Sequence, residues 1–504
     1  MSITLALIVV IVALFAWSTY KRMTFFKKLG LPGPTPLPIV GNMLTYGQGM
    51  HTAHEIWSKK YGKTYGVFEG ARKAIITSDL DIIEEVLIKQ FNNFCDRQHF
   101  PLRPKLLQND LLSLHGDRWK LMRGTISPTF SRSKMQKMAS LVTNRADILL
   151  RNLDRVCDQG QRNVEISKIL GSFVLESGAL CAYATEIDSQ NLADTTFVDM
   201  ACLFFQGFKE QQHAWAITLM MPWMEPVLRL MGFSLHPMKA LKFFQNLIMD
   251  IISERKADHN QKEYVDFLQL LMKAHNFQDE DTPKEERVEV DYKRALTDDE
   301  VTAMAVVFFL GNYETTTTTL CFIAYLLATH PDVQERLIKE IDDVIGERTA
   351  LIYQDMAALP YLDMVLHESM RIYPPAVEFD RICQEDCVIK GIPIPKGVMM
   401  EIPIWVVHHD PETWPDPYTF DPERFAPEKR SKIHNVAWLP FGEGPRKCIG
   451  YRFAIMQTTF VLVRLLQKYR FETCEETEIP PKFGKHGLIL PENGMTLRLA
   501  PRNK

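Results

Sequence analysis

Residues 441–450 read FGEGPRKCIG, with three glycines, a proline and an arginine gathered around one cysteine, Cys448. The stretch runs straight into YRFAIMQTTFVLVRLLQKY (451–469), whose apolar residues recur at helical spacing. A thiolate just ahead of a helix is stabilised by the unpaired N–H groups of the first turn and by the helix dipole. Glycines at 444 and 450 let the backbone approach something broad and flat. Arg446, two residues before the cysteine, offers a guanidinium to a carboxylate. A lone cysteine in a glycine-rich turn is usually just a small buried apolar group. Here Phe441, Gly444, Arg446, Cys448 and Gly450 complete an F-x-x-G-x-R-x-C-x-G pattern, which a simple turn does not need.

Three further stretches belong with it. In YLDMVLHESMRIYPP (361–375), Glu368 and Arg371 stand three apart on one helix face, ahead of a Tyr-Pro-Pro stop. Such a pair contributes little on a surface, but this helix is apolar, and DPERF (421–425) adds Arg424. In WKLMR (119–123), one helical turn brings Trp119 and Arg123 to a common face. GNYETTTTTL (311–320) lies within a long apolar run. Its five consecutive threonines each cost roughly half a kcal/mol of helix propensity against alanine, and their hydroxyls bond back to preceding carbonyls. A plain core helix has no use for Glu314 and Thr315 at that place.

A haem iron with a cysteine ligand requires the surroundings that Cys448 has. The chain resembles the cytochrome P-450 family of microsomal haem-thiolate monooxygenases. LATHPDVQERLIKEID (327–342), LPYLDMV (359–365) and HHDPETWPDP (408–417) narrow the resemblance to its 3A group and the related thromboxane synthases. It implies a mainly α fold with a minor β portion, a triangular prism of helices around the haem, behind an N-terminal transmembrane helix. It also implies that Cys448 is the iron ligand of haem b, with Phe441 and Gly450 completing the loop, and that Trp119, Arg123, Arg97, Arg381 and Arg446 hold the propionates. Glu368, Arg371 and Arg424 become a buried structural triad, and Glu314 and Thr315 the proton-delivering pair. Asn312 departs from the family's usual glycine, where an amide either narrows the oxygen groove or hydrogen-bonds a ligand.

The activity implied is monooxygenation of lipophilic substrates such as steroids, fatty acids or xenobiotics. The sequence has no dinucleotide-binding glycine motif, so the electrons of NADPH come through a separate NADPH–cytochrome reductase, with cytochrome b5 as a further partner. Lys120 and Lys447 are the candidate docking residues. Two alternatives stand beside this reading: an endoperoxide isomerase of the thromboxane-synthase type, and a haem-thiolate sensor without turnover. Thr315 favours the oxygenase over both.

The first twenty residues, MSITLALIVVIVALFAWSTY, carry no charge and are followed by Lys21, Arg22, Lys27 and Lys28. As a helix, residues 3–20 span roughly 27 Å, enough to cross a bilayer, and the basic flank keeps the body cytosolic. The expected layout is an anchor over 1–22, a basic and Pro-rich linker over 23–42, and one haem-containing domain over 43–504 in the endoplasmic reticulum membrane. Four prolines within 32–38 predict a stiff, extended connector. Nine cysteines without zinc-type spacing suit a reducing compartment, and a net charge of −4 points away from nucleic acid. The acidic run at 279–291 reads as a solvated loop. Residues 201–250, rich in Phe, Met and Trp, read as core packing and as an adaptable roof over a substrate pocket. The loop 98–110, Ala376–Phe379 and Gly484–Leu488 are expected to join it in setting specificity.

Overall fold

The computed structural model describes residues 3–187, 189–190, 196–257, 266–275, 296–485 and 487–502. The run at 279–291 lies outside them. Helix α1 (Ile3–Lys28) has an apolar window of mean hydropathy 2.3 that buries nothing in the protein, as an element that meets lipid should. The helix runs on past the expected anchor boundary at residue 22, as far as Lys28. Tertiary contact holds the extra turns: Phe26 is buried, and its ring meets Phe68 edge-on at 5.1 Å between centroids. The proline stretch is extended, but it is docked rather than free. Gly66 N–H donates to Pro32 O (2.9 Å). Asn42 Nδ2 donates to Thr35 O (3.3 Å) while its Oδ1 accepts from Phe68 N–H (2.9 Å).

That strap lies against the first sheet. After α2 (Met50–Tyr61), strands β1 (Thr64–Glu69) and β2 (Arg72–Thr77) form an antiparallel hairpin. Then come α3 (Gly116–Ile126), the long α4 (Arg132–Asp158), the short β3 (Asn163–Glu165) and α5 (Ile166–Tyr183). Helix α5 is also apolar enough to cross a membrane, but 72% of that window is buried, so it is a core helix. Further helices lie within 196–257 and 267–275, and α6 (Asp298–Thr329) follows.

Helix α6 is the axis of the fold. Its start is fixed by a capping box: Thr297 Oγ1 accepts from Glu300 N–H (3.2 Å), and Glu300 Oε2 accepts from Thr297 N–H (2.8 Å). The acidic first turn, Asp298 to Glu300, matches the positive end of the dipole. From there the helix is buried on nearly every side, so its sequence shows no amphipathic stripe.

The chain then gives α7 (Pro360–Ile372), β4 (Phe379–Ile382), β5 (Met399–Ile402), α8 (Tyr451–Lys468), β6 (Tyr469–Glu472) and β7 (Thr496–Pro501). The main sheet has the order β1-β2-β5-β4, with β5 parallel to β2 and β4 antiparallel to β5. A second sheet has the order β3-β7-β6. One continuous apolar core joins helices α3 to α8, and a smaller one lies under the main sheet. The mainly helical architecture with a minor sheet portion is as expected from the sequence.

Candidate active site

Cys448 stands two residues before the Gly450 cap of α8. Its loop is wound by its own backbone. Gly442 N–H donates to Leu439 O (2.9 Å), Lys447 N–H to Gly444 O (3.0 Å) and Cys448 N–H to Phe441 O (2.8 Å). Gly444 has φ +78°, and a Cβ there would collide with the Leu87 carbonyl oxygen. Both the conformation and the space therefore demand glycine. The Cys448 thiol is deep in the protein, with its uncovered face on a cavity of about 400 Å³. Burial pushes this thiol above its usual value, outweighing the Gly450 N–H and the charges of Arg123, Arg97 and Lys447. The Gly450 N–H and these charges do pull it down, as expected of a thiol just ahead of a helix, but burial prevails for the protein chain by itself.

The cavity is walled by apolar groups, among them Ile126, Phe267, Met304 and Phe308, and by four arginines, Arg97, Arg123, Arg381 and Arg446. Arg446 Nη2 donates to Leu114 O, yet its Nε and Nη1 are buried with no hydrogen-bond partner among the described residues. Arg381 Nη1 donates to Asp380 O (2.7 Å), and its Nε is likewise unpartnered. Burial and the charge of Arg97 draw Arg381 well below the guanidinium range and Arg446 down to about 10. Buried cations that repel one another and keep unmet donors are unfavourable unless an anion comes to them. A broad, flat dicarboxylate answers that donor set. The haem propionates have this chemistry, and Cys448 supplies a sulfur on the same wall.

Most of the residues expected at the site meet here: Arg97, Arg123, Thr315, Arg381, Phe441, Arg446, Cys448 and Gly450 all line the cavity. Two do not. Trp119 is buried, with the Arg446 guanidinium over its ring at 4.6 Å, so the indole holds one of the cavity's arginines. Glu314 is off the wall because α6 turns about 100° per residue, and the wall takes Gly311, Asn312, Thr315 and Thr319 from it. Thr315 Oγ1 donates to Gly311 O (2.8 Å), the back-bonding expected of the threonine run. The Asn312 amide donates to Val174 O (3.4 Å) on α5. A Cβ on Gly178 would stand 2.9 Å from that amide nitrogen, so a glycine on α5 makes room for it.

The roof also needs correction. Among the described residues, nothing from 201–250 lines the cavity. Phe204 and Phe244 are core, whereas Trp223, Leu230 and Met231 face outward, Leu230 at 90% exposure. Of the other specificity segments, Ala376, Glu378 and Phe379 reach the wall. The 98–110 loop is replaced there by its neighbours Leu111 and Leu112, and Gly487 supports the wall from behind by accepting from Val377 N–H (2.9 Å).

Behind the loop, Glu368 and Arg371 are fully buried and paired through two bonds, Nε to Oε2 (2.7 Å) and Nη2 to Oε1 (2.8 Å). Arg424 Nε lies 3.3 Å from Glu368 Oε1. Arg371 Nη1 also donates to His408 O and Pro417 O, both at 2.8 Å. Sequence reasoning missed His408. Its Nδ1 donates to Arg371 O (3.1 Å) and its Nε2 accepts from Leu439 N–H (2.8 Å). Only a neutral imidazole can do both, and burial, with His409 and Arg371 nearby, holds it well below its usual value. This ring ties the α7 ion pair to the backbone that leads into the cysteine loop.

Asp96 does similar work on the other side. Its Oδ1 accepts from Gly116 N–H (2.8 Å) at the start of α3, and its Oδ2 from Gln384 Nε2 (3.2 Å). Burial opposes its ionisation, but the bonds from His115 and Gly116 prevail and bring it down to about 2. The Asp96→Asn variant should lose about 1–2 kcal/mol of stability at neutral pH, after allowance for solvent screening. The carboxyl is depressed on folding, so its contribution is full above its unfolded value near 3.8 and fades as pH falls through 2. Urea midpoints of the two proteins should converge across that window.

The fold and this thiol-and-arginine cavity suit a haem-thiolate protein. The cytochrome P450 family model matches residues 31–499. The chain is 35% identical to mouse Cytochrome P450 3A41 over 500 residues, covering 99% of this chain and 96% of that one. It is 36% identical to human Cytochrome P450 3A5 over 502 residues, at the same coverage. Dog Cytochrome P450 3A12 is 36% identical over 501 residues, again covering 99% and 96%. The protein belongs to the cytochrome P450 family and is similar to its 3A members.

Proposed function

We propose that the protein is a membrane-anchored oxygenase of lipophilic compounds, with the balance RH + O2 + NADPH + H+ → ROH + NADP+ + H2O. The observation that carries this reading is the Cys448 sulfur on a cavity wall shared with buried arginines whose donors are unmet. Cys448 would ligate the iron, and Arg97, Arg123, Arg381 and Arg446 would take the propionates. When bound, the haem supplies dioxygen activation, with thiolate donation favouring O–O cleavage. The apolar wall of Phe308, Phe267 and Met304 excludes water and accepts a lipophilic body. Thr315 Oγ1 is the atom that passes a proton into the cavity, and Glu314, one residue back and off the wall, replenishes it.

Electrons come from a separate NADPH–cytochrome reductase, with cytochrome b5 as a second donor. Lys120 is half exposed and 3.6 Å from Asp117, whereas Lys447 is held by Glu443 at 2.7 Å. Lys120 is therefore the more available docking charge. Lys120→Glu should slow reduction severalfold at low salt with haem content unchanged, and an unaltered rate rejects this docking face. The apolar, unburied helix α1 supports an anchor in the endoplasmic reticulum membrane with the body cytosolic, and the outward Trp223, Leu230 and Met231 would rest in the lipid interface.

The test is turnover with reductase, NADPH and 18O2 on a panel of steroids, fatty acids and xenobiotics. One labelled oxygen per hydroxylated product is expected. Product formed from an endoperoxide without NADPH, and no oxidation elsewhere, overturns the reading in favour of an isomerase.

A further inference from the structure

A second cluster of ligating side chains lies beside the cavity, and the family reading makes no use of it. His54 on α2, Glu378 just before β4 and Glu401 on β5 bring their ligand atoms within 4.8 Å of one another. His54 Nε2 is 2.6 Å from Glu378 Oε2 and 3.0 Å from Glu401 Oε1. His54 is fully buried and Glu401 is 2% exposed, while Glu378 also lines the cavity.

One ring nitrogen carries at most one proton and directs it along one line. His54 Nε2 directs its bond to Glu378. Glu401 keeps only the 3.0 Å ion-pair contact with the same His54 nitrogen, and neither of its oxygens accepts a well-directed hydrogen bond among the described residues. Two acidic side chains buried against one imidazole are costly unless a proton or a cation joins them. The neighbours do not relieve it. Glu69 accepts from Tyr46 OH (2.9 Å), and Arg72 is engaged by Gln98 and by His99 O (2.7 Å). A divalent cation would serve all three donors at once.

We propose that His54, Glu378 and Glu401 form a binding site for a divalent transition cation of the zinc class. One imidazole and two carboxylates suit Zn2+ over Ca2+ or Mg2+, which take oxygen alone. Zinc bonds of about 2.0–2.2 Å with tetrahedral angles require donors roughly 3.2–3.6 Å apart, so the cluster needs to open by less than about 1 Å. The fourth position falls to water or to a polar group in the cavity, because Glu378 borders it. His54 Nδ1 has no partner among the described residues. Without that outer-shell bond, the affinity is expected to fall roughly 10–100-fold short of a fully supported site. The ion would pin α2 and the main sheet to the cavity wall at Glu378. The proposal does not depend on the haem chemistry.

The experiment uses the full-length haem-loaded protein, stripped with a chelator and checked for haem by its visible spectrum. Zn2+ is then titrated against a chromogenic chelator, and Co2+ is followed by its d–d absorption. The expected result is one equivalent bound in the micromolar range or tighter, with intense tetrahedral cobalt bands. Glu401→Gln and His54→Gln should each weaken binding by more than the outer-shell factor. Binding no tighter than by scattered surface histidines, or unchanged in both variants, overturns the site. If the variants lose haem, the wild-type cobalt spectrum decides, since weak octahedral bands contradict the proposal.

Discussion

Cys448→Ser is expected to yield a folded protein that has lost the thiolate-haem spectrum and whose NADPH-dependent oxidation falls to background. The fold should tolerate the change because the loop is held by its backbone, through Phe441, Gly444 and Leu439, and not by the thiol. The sulfur faces the cavity, so the loss of stability should stay within about 1 kcal/mol. A hydroxyl cannot replace the soft, electron-rich thiolate as a ligand. Circular dichroism and urea unfolding separate this outcome from misfolding. Full oxidation by a protein that keeps its colour would remove Cys448 from the chemistry.

Arg371→Met should be destructive for a different reason. It leaves Glu368 buried with only the more distant Arg424 and the Asp421 N–H (3.1 Å), and it strips donors from His408 O and Pro417 O. Breaking one side of a buried pair costs about 3–5 kcal/mol, a large share of the 5–15 kcal/mol typical of a domain. Burial already raises Glu368 above the usual carboxylate range despite Arg371, so the lone acid will take up a proton and the α7 end will loosen. Through His408 and Leu439, that disturbance reaches the cysteine loop. Haem content and urea midpoint should fall together. Adding Glu368→Leu should recover part of the stability, since removing both charges avoids the stranded one. Full recovery is not expected, because the carbonyls that Arg371 serves, Thr419 O (3.3 Å) among them, still lose that donor. A wild-type urea midpoint for Arg371→Met would contradict the structural role.

These two predictions rest on features that were legible in the sequence for the same reason. The Cys448 loop and the Glu368–Arg371 pair are set by residues within one turn or one helical step, so spacing alone reports their geometry. Gly444 is legible in this sense too, although its collision partner, Leu87, is not. What the sequence could not show lies in contacts between distant segments. His408 joins Arg371 to Leu439, and His54 meets Glu378 across 324 positions. Trp119 and Arg123 share a face by spacing, yet Arg446 from far along the chain covers the indole and takes the cavity side. Glu314 and Thr315 are adjacent in the motif, but helical rotation puts only Thr315 on the cavity wall. The continuation of α1 past residue 22 depends on Phe68 in β1 as a partner for Phe26. The aromatic-rich 201–250 segment shows the limit of composition: it fits a roof, a core and an outward patch equally well, and the structure divides it between the last two.

The central claim is that the Cys448 sulfur ligates a haem iron within the arginine-ringed cavity. The carbon monoxide difference spectrum of the reduced full-length protein tests it most directly. The account predicts the strongly red-shifted Soret band of a thiolate ligand, present in the wild type and missing in Cys448→Ser. A band at the position of histidine-ligated haem, or the same red-shifted band in both proteins, would contradict it.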